Sequence, residues 1–316
     1  MQSVITYPEG IYAIESGYER PQLAAIHAIV SGDAVAIVDS GNNESVPRVL
    51  EALASLGFGP EQVRYVLLTH IHLDHAGGAG ALMAACPNAA LVVHPRGVRH
   101  MVDPSKLWAG TVAVYGEDDA IAKYGRIQSV AAERIVEATD GRVVDLNGRK
   151  IRVAETPGHA LHHVCYFDEQ TRAWFTGDTF GLSYRELDHD GRAFVFPTTT
   201  PVQFDPDALH ASIDRLMAEQ PTAMYLTHYS RVTDLPRLAS DLHRLIDAHV
   251  AIARSGANAV DRRHQIIRAG LSALMRQEAA RQQWPISEND LFELFAMDLE
   301  LNAQGLEVWL DRQAAA

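Results

Sequence analysis

The sequence predicts a mixed α/β (α+β) fold that is followed by a helical C-terminal appendage. Residues 1–235 alternate short β-branched runs with segments of helical spacing, a pattern typical of strands and helices around a shared core. Residues 236–316 show helical spacing only, so we expect them to form a helical C-terminal extension. The chain has 316 residues, of which 47% are hydrophobic. That is enough apolar material for one large domain, or for one domain with an appendage.

Short apolar runs predict the strands of the first domain. In chain order they are residues 11–14, 23–30, 34–38, 63–68, 91–94, 142–146, 150–155, 164–168, 173–176 and 223–226. Gly32 and Asp33 separate the second run from the third and predict a hairpin turn. Helical spacing predicts helices at residues 44–56, 79–85 and 207–217, the first of which is closed by Gly57.

Two regions depart from this alternation. Residues 97–140 mix acidic and basic side chains at helical spacing, which predicts two or three short helices inserted between core strands. A position near the mouth of a site and a packing role on the far side both remain open for this insertion. The tail predicts helices at 238–253, 259–283 and 288–299, with Pro285 between the last two. We favour a packing role or a homodimer contact for this tail over a substrate site.

Composition and charge exclude some classes of partner. The net charge is −13, which argues against nucleic acid, because phosphate contacts need clustered Lys and Arg. Cys86 and Cys165 both lie in apolar surroundings, so we expect buried, reduced thiols and a cytoplasmic protein. The first ten residues lack the basic start and apolar core of a signal peptide. The longest uncharged stretch, 76–95, contains glycines and a proline and predicts no membrane span.

The strand at residues 63–68 runs directly into a cluster of potential metal ligands. His70 and His72 are two residues apart in an extended segment, so both side chains can face one ion. Asp74 and His75 follow where the chain turns towards a helix, and they can face a second ion. His and Asp residues clustered at this spacing predict a metal site.

Three further candidate ligands lie where later strands end. His159 follows the strand at 150–155 through a Pro-Gly turn, Asp178 follows the strand at 173–176, and His228 follows the strand at 223–226. Each stands at the same end of its strand, where open α/β sheets form their binding crevices. We therefore expect the fold to bring all three to the first cluster.

The order of these residues resembles that of the metallo-β-lactamase superfamily, the αββα-sandwich hydrolases. The resemblance covers roughly residues 10–235 and includes all five motifs of that family. The matching residues, motif by motif, are Asp39; His70, His72, Asp74 and His75; His159; Asp178; and His228. The resemblance implies a four-layer αββα sandwich, to which this chain adds its helical tail.

The resemblance also implies roles for these side chains. His70, His72 and His159 would hold one ion, Asp74, His75 and His228 would hold a second, and Asp178 would bridge them. Asp39 would fix the orientation of a ligand or its loop. His163 matches the second histidine of the family's third motif and is expected to support a ligand, although His162 stands where glycine is usual. Zinc is the expected metal for a His-rich site, and iron or manganese also fits these ligands.

The predicted function follows from the resemblance. The full set is most similar to the glyoxalase II, lactonase and phosphodiesterase branches. Our first hypothesis is a dinuclear metal hydrolase whose metal-bridging hydroxide cleaves a small ester-type substrate: a thioester, a lactone or another carboxylic ester. Asp74 and Asp178 would be its catalytic residues. Three alternatives remain open: a phosphodiesterase or nuclease of the same superfamily, a signalling or adaptor protein that retains the metal site, and a single-iron persulfide dioxygenase.

Overall fold

The fold contains two β-sheets, seen in a computed structural model that describes residues 4–199 and 202–315. The described part leaves out the first three residues of the predicted domain and the last residue of the predicted tail. It also leaves out Thr200 and Pro201, in the loop after Asp178. The strands of the first sheet are β1 Val4–Tyr7, β2 Ile11–Glu15, β3 Ala25–Ser31, β4 Ala34–Val38, β5 Val63–Leu67, β6 Ala90–Val93 and β7 Ile135–Glu137. Those of the second are β8 Val143–Leu146, β9 Arg149–Glu155, β10 Val164–Asp168, β11 Ala173–Gly177, β12 Ala223–Leu226 and β13 Ser230–Val232.

Each sheet combines antiparallel and parallel neighbours. The first has the order β1-β2-β3-β4-β5-β6-β7, antiparallel as far as β4 and parallel beyond it. The predicted hairpin joins β3 to β4, and Gly32 at its tip has a φ of +60°, a conformation that glycine adopts without strain. The second sheet has the order β13-β12-β11-β10-β9-β8, in which only β11 and β12 run parallel among the described strands.

Helices cover the outer faces of both sheets. In chain order they are α1 Ser45–Ser55, α2 Leu73–Ala76, α3 Ala79–Ala85, α4 Pro95–Val102, α5 Ser105–Tyr115, α6 Glu117–Tyr124, α7 Pro206–Ala218, α8 Leu235–Gly256, α9 Arg263–Gln282, α10 Glu288–Leu294 and α11 Ala296–Ala314. One apolar cluster joins the facing sides of the two sheets, for example Val38 and Leu67 with Val153 and Phe175. A second packs α1 and α3 on the first sheet, and a third packs α7 and α8 on the second. The layers therefore follow the αββα order, as expected.

The region predicted as a helical insertion contains α4, α5 and α6, but it also contains the strand β7. Three residues of strand are too short to give a periodic signal, and β7 forms only because β6 offers it a free edge. The amide groups of Asn42 and Asn43 donate hydrogen bonds to the carbonyl oxygens of Lys123 and Tyr124, 2.7 and 3.0 Å away. The end of α6 is thereby fixed against the loop that follows β4.

The tail packs on the sandwich through apolar and polar contacts. Side chains of α8, α9 and α11 share one apolar cluster with β11, β12 and α7. The Tyr184 hydroxyl donates to Asp298 of α11 at 2.9 Å, and burial raises the pKa of that carboxyl to about 6. Asn302 accepts a hydrogen bond from the backbone N–H of Thr199. These contacts tie the tail to the loop after β11. The division into domains at residues 235 and 236, and the homodimer through the tail, stay predictions.

The structure confirms the expected state of the two cysteines. Cys86 and Cys165 are both free and buried. Among the described residues, no helix combines the length and the apolar character needed to cross a bilayer.

Candidate metal centre

Four strands and the connections that follow them deliver the candidate ligands to one edge of the sandwich. His70 and His72 lie in the loop after β5, while α2 carries Asp74 and His75. The remaining candidates, His159, Asp178 and His228, follow β9, β11 and β12 respectively. Side chains that are up to 158 positions apart in the chain therefore meet at one point, as the strand-end argument predicts.

The first group consists of three histidines. The Nε2 atom of His70 lies 2.9 Å from Nδ1 of His72, and Nε2 of His159 lies 3.1 Å from the same atom. Three ring nitrogens thus converge on a single point, and all three lie within 4.8 Å of one another. Three convergent imidazoles are a frequent ligand set for zinc.

The second group combines a carboxylate with two histidines. Oδ2 of Asp74 lies 3.5 Å from Nε2 of His75 and 3.3 Å from Nε2 of His228. These three atoms also lie within 4.8 Å of one another. The pairing of side chains is the one that the resemblance implies for a second ion.

Asp178 lies between the two groups. Its Oδ2 atom is 3.5 Å from Nε2 of His159 in the first group. Its Oδ1 atom is 3.4 Å from Nε2 of His75 and 3.9 Å from Nε2 of His228 in the second. One carboxylate oxygen faces each group, which is the arrangement that a bridging ligand requires.

Two buried atoms at the centre of this cluster have no hydrogen-bond partner among the described residues. They are Nε2 of His75 and Oδ1 of Asp178, and their 3.4 Å separation is not accompanied by hydrogen-bond geometry. A polar atom left unpaired in a protein interior costs about 1–3 kcal/mol, so such atoms in a native fold call for an explanation. A cation coordinated by both atoms would satisfy them, and the donor set therefore fits divalent metal ions.

Hydrogen bonds on the far side of two rings fix which nitrogen has the free lone pair. Nδ1 of His75 lies 2.9 Å from Oδ2 of Asp39, and Nδ1 of His228 lies 2.7 Å from the carbonyl oxygen of Leu23. An ionised carboxylate and a carbonyl oxygen can only accept, so both Nδ1 atoms carry the hydrogen. Each Nε2 lone pair then points into the cluster, as in metal sites whose histidines are held by an outer acceptor.

Asp39 holds a network that the motif comparison did not reveal. It accepts hydrogen bonds from the backbone N–H and hydroxyl of Thr69, at 2.8 and 3.0 Å, and from the Thr227 hydroxyl at 2.9 Å. The carboxylate is buried and its residue has a φ of +60°, a conformation tolerated by Asp better than by most residues. Each threonine directly precedes a candidate ligand, and this repeated Thr-His pair was the sequence signal available for the network.

His163 supports the backbone of Asp178. Its Nε2 accepts a hydrogen bond from the Asp178 N–H at 3.3 Å, so its Nδ1 carries the hydrogen and can donate to Thr156 Oγ1 at 2.9 Å. Gly177, with a φ of +48°, passes so close that an added Cβ would lie 2.6 Å from Nε2 of His163. Fixing the strand end in this way sets the position of the central carboxylate.

His162 is half-buried beside the first group. Its ring is nearly parallel to that of His70, with centroids 6.2 Å apart, and meets His72 edge-on at 5.7 Å. Burial lowers the pKa of His162 to about 4. The side chain adds to the wall beside the first group, in a position that a glycine would leave open.

Electrostatics keep the ligand atoms in forms that can bind a cation. Burial alone would raise the pKa of Asp178, but the imidazoles of His75 and His228 outweigh burial and hold that pKa well below its usual range. Burial, helped by neighbouring imidazoles, holds the pKa values of His70 and His72 well below the ordinary histidine value. The carboxylate is therefore ionised and these two rings are neutral, as ligands must be.

The second group also has a marked preference for positive charge. Burial would lower the pKa of His75, yet the carboxylates of Asp178, Asp74 and Asp39 outweigh it and raise that pKa well above its ordinary value. Three carboxylates around one ring create a negative potential that a proton or a cation can neutralise. This potential is a further observation that fits a metal ion at the second group.

Sequence relatives share this part of the chain. The model of the metallo-beta-lactamase superfamily matches residues 22–229. The metallo-beta-lactamase fold-containing protein ST1585 of Sulfurisphaera tokodaii is 25% identical over 224 residues, which are 69% of this chain and 78% of that protein. An atrochrysone carboxyl ACP thioesterase of Aspergillus fumigatus is 31% identical over 149 residues, and a hydroxyacylglutathione hydrolase of Francisella tularensis subsp. novicida is 32% identical over 118. This chain spans only 35% and 34% of the lengths of those two enzymes.

Solved structures give the same fold. ST1585 from Sulfolobus tokodaii superposes with a TM-score of 0.60 at 24% identity, over 75% of this chain and 86% of that one. The family protein TTHA1429 from Thermus thermophilus superposes with a TM-score of 0.64 at 19% identity, over 97% of this chain and 94% of that one. The second likeness extends into the helical tail. With the matched family model and the ligand geometry, these findings show that the chain belongs to the metallo-β-lactamase superfamily.

Proposed function

We propose that this protein is a dinuclear metal-dependent hydrolase that cleaves an ester-type bond in a thioester, a lactone or another small carboxylic ester. The observation that carries the proposal is the position of Asp178, which offers one carboxylate oxygen to each of two three-ligand groups. Its unpaired Oδ1 and the unpaired Nε2 of His75 support occupation of this point by a cation.

The residues divide into two ligand sets that share Asp178. The first ion would be held by His70, His72 and His159, and the second by Asp74, His75 and His228. We propose zinc in both positions, because imidazole and carboxylate ligands suit it, and iron or manganese would suit the same atoms. When bound, a pair of divalent ions lowers the pKa of water towards neutrality and polarises a substrate carbonyl.

Asp74 is the residue best placed to handle a proton. Its Oδ2 faces His75 and His228, while the side chain is 22% exposed, in contrast to Asp178 at 8%. Burial would raise its pKa, but these two imidazoles outweigh burial and lower it. An ionised carboxylate that contacts both the ligand group and solvent can orient a water molecule, accept its proton and pass it outwards.

The proposal that the substrate is an ester is supported by the enzymes to which this chain is similar. One relative that is 31% identical is named a thioesterase, and another that is 32% identical is named a hydroxyacylglutathione hydrolase. Both names describe hydrolysis at an acyl group. The net charge of −13 favours a small substrate over a nucleic acid. The two free, buried cysteines support a cytoplasmic location.

Metal analysis and an ester assay on the same preparations test the proposal. We expect about two metal ions per chain in the purified protein. Asp178→Ala should lose much of the metal and most of the activity, since one substitution removes a ligand from both ions. Asp190→Ala removes an exposed carboxylate and serves as the matched control. Full activity in Asp178→Ala would refute the mechanism.

A substrate panel separates the ester class from its main alternative. The panel contains a thioester, a lactone, a p-nitrophenyl carboxylic ester and bis(p-nitrophenyl) phosphate. We expect turnover of the carbon esters and little turnover of the phosphodiester. The reverse preference, with two ions still bound, would keep the metal centre and overturn the ester assignment.

A further inference from the structure

A second cluster of histidines lies between α7 and α8, away from the metal centre. His210 and Asp214 are one turn apart on α7, and His243 and Asp247 are one turn apart on α8. The two Nδ1 atoms of the histidines are 2.6 Å apart, and the rings are nearly parallel, with centroids separated by 4.9 Å. The histidine side chains are 25% and 27% exposed, so the cluster is open to ions from solvent.

Each ring has a carboxylate at its other nitrogen. Nε2 of His210 lies 3.2 Å from Asp247, and Nε2 of His243 lies 3.1 Å from Asp214. An ionised carboxylate only accepts, so both Nε2 atoms carry their hydrogens. A neutral imidazole has one hydrogen, and both Nδ1 atoms are then bare lone pairs that face each other at hydrogen-bond distance.

Lone pairs in this position need a positive centre between them. If Nδ1 of either ring took the hydrogen instead, the Nε2 lone pair of that ring would face a carboxylate. In the described part of the chain, these histidines are the only ion-pair partners of Asp214 and Asp247, so their negative charge attracts a cation. A shared proton or a metal ion satisfies the geometry, and the two compete for the same electrons.

We propose that His210 and His243 form a binding site for a divalent transition-metal ion such as Zn²⁺, distinct from the metal centre of the hydrolase. The Nδ1 atoms are the protein ligands and water completes the coordination. Histidines that bind metals nearly always donate their other N–H to a carboxylate or carbonyl, and here both do so. Nitrogen ligands lie about 2.0–2.1 Å from zinc, so the two rings must separate by somewhat less than 1 Å, which side chains at the surface can do.

Such an ion would link α7 to α8, because it would take one ligand from each helix. The opposite side of α7 supports the third motif: Ser212 donates to the Pro157 carbonyl at 2.6 Å, and Leu209 packs on Gly158, next to His159. Helix α8 is the first helix of the tail. Binding at the cluster therefore joins the element behind a metal-centre ligand to the C-terminal helices, and it should stabilise the folded protein.

Equilibrium dialysis against Zn²⁺, with metal content measured per chain, tests the proposal. We expect the wild-type protein to bind one more equivalent than His210→Ala or His243→Ala, whatever number the metal centre holds. Asp247→Asn should keep that equivalent with about 10–100-fold lower affinity, because it loosens the ring without removing a ligand. The control is His189→Ala, which replaces a partly exposed histidine away from α7 and α8 and should bind as much Zn²⁺ as the wild type.

Thermal unfolding gives a second readout that does not depend on catalysis. Added Zn²⁺ should raise the Tm of the wild type more than that of His243→Ala, by a margin that grows with Zn²⁺ concentration. Alanine is favourable in an exposed helix, so both histidine variants should fold, and His210→Gln provides a second test with a side chain closer in size. Equal zinc content and equal Tm shifts in the wild type and these variants would overturn the proposal.

Discussion

Replacing Asp39 by asparagine should weaken binding of one ion while leaving the other nearly unchanged. Oδ2 of Asp39 accepts from Nδ1 of His75 and from the Thr227 hydroxyl, both at 2.9 Å. In an amide of the same shape, the backbone N–H of Thr69 can only donate and would keep the oxygen in the place of Oδ1, so the NH2 group would lie opposite those two donors. The His75 ring would then have to accept at Nδ1 and carry its hydrogen on Nε2, the atom that faces the second ligand group.

The size of the effect follows from the bond that is lost. A hydrogen bond to a charged group in a protein contributes about 1.5–3 kcal/mol. At about 1.4 kcal/mol for each factor of ten, we expect roughly 10–100-fold weaker binding at the second group. The hydrogen bonds of Asp39 go to His75 and to the two threonines, and not to the three histidines of the first group, so that group should change much less.

A metal titration of Asp39→Asn monitors this change, with hydrolysis of the ester substrate measured in parallel. We expect two binding steps that are separated more widely than in the wild type. Thr227→Val removes one hydrogen bond to the same carboxylate but leaves the His75 tautomer unchanged, so this control should lose less affinity at the second group than Asp39→Asn. Wild-type affinity for both ions in Asp39→Asn would refute the view that Asp39 sets the His75 tautomer.

Three further predictions concern stability. Gly177→Ala places a Cβ 2.6 and 2.7 Å from two neighbouring side chains. It should lower the free energy of unfolding in urea by about 1–3 kcal/mol more than Gly191→Ala, a control whose φ is also positive but whose surroundings are open. Equal losses in the two variants would contradict the clash. Burial lowers the pKa of His249 to about 4, so the folded state excludes a proton that the unfolded chain binds below about pH 6.5. The free energy of unfolding therefore decreases as the pH falls from about 6.5 to 4. Between pH 7 and pH 4, His249→Gln should lose about 3 kcal/mol less of this free energy than the wild type. Urea unfolding at both pH values measures the difference, and equal losses would exclude this role of His249. Burial would lower the pKa of His264, but hydrogen bonds to Glu307 and a second glutamate of α11 outweigh burial and raise it. Protonated His264 therefore stabilises the folded protein at low pH, and this stabilisation disappears as the pH rises through the raised pKa. The Tm of His264→Gln should therefore lie below that of the wild type at pH 6 and approach it at pH 9. A difference in Tm that does not change with pH would show that these His264–glutamate ion pairs do not stabilise the fold.

The strands and ligands that the sequence predicted share one property, which is that each signal is local. The buried runs that became β4, β10 and β12 match their predicted bounds because short, mainly apolar runs between turn signals are typical of buried strands. The candidate ligands were found because each follows such a run. Their convergence required only that the strand ends meet at one edge of the sandwich.

What the sequence did not reveal depends on distant partners. Strands β1, β7 and β13 have three or four residues each and owe their conformation to the neighbouring edge. The helix predicted at 288–299 is divided at Phe295, and α11 continues to Ala314. Its Asn302 is bonded to Pro197 and Thr199, which are about a hundred positions earlier in the chain. The acceptor for His228 is the Leu23 carbonyl, 205 positions away, and no side-chain pattern indicates a backbone atom.

The central claim is that seven side chains hold two ions with Asp178 between them. A crystal structure of the metal-loaded protein, with anomalous scattering measured at the metal absorption edge, tests this most directly. We expect two peaks about 3.5–4 Å apart, one beside His70, His72 and His159 and the other beside Asp74, His75 and His228. A single peak, or two peaks without a carboxylate oxygen of Asp178 in contact with each, would contradict the account.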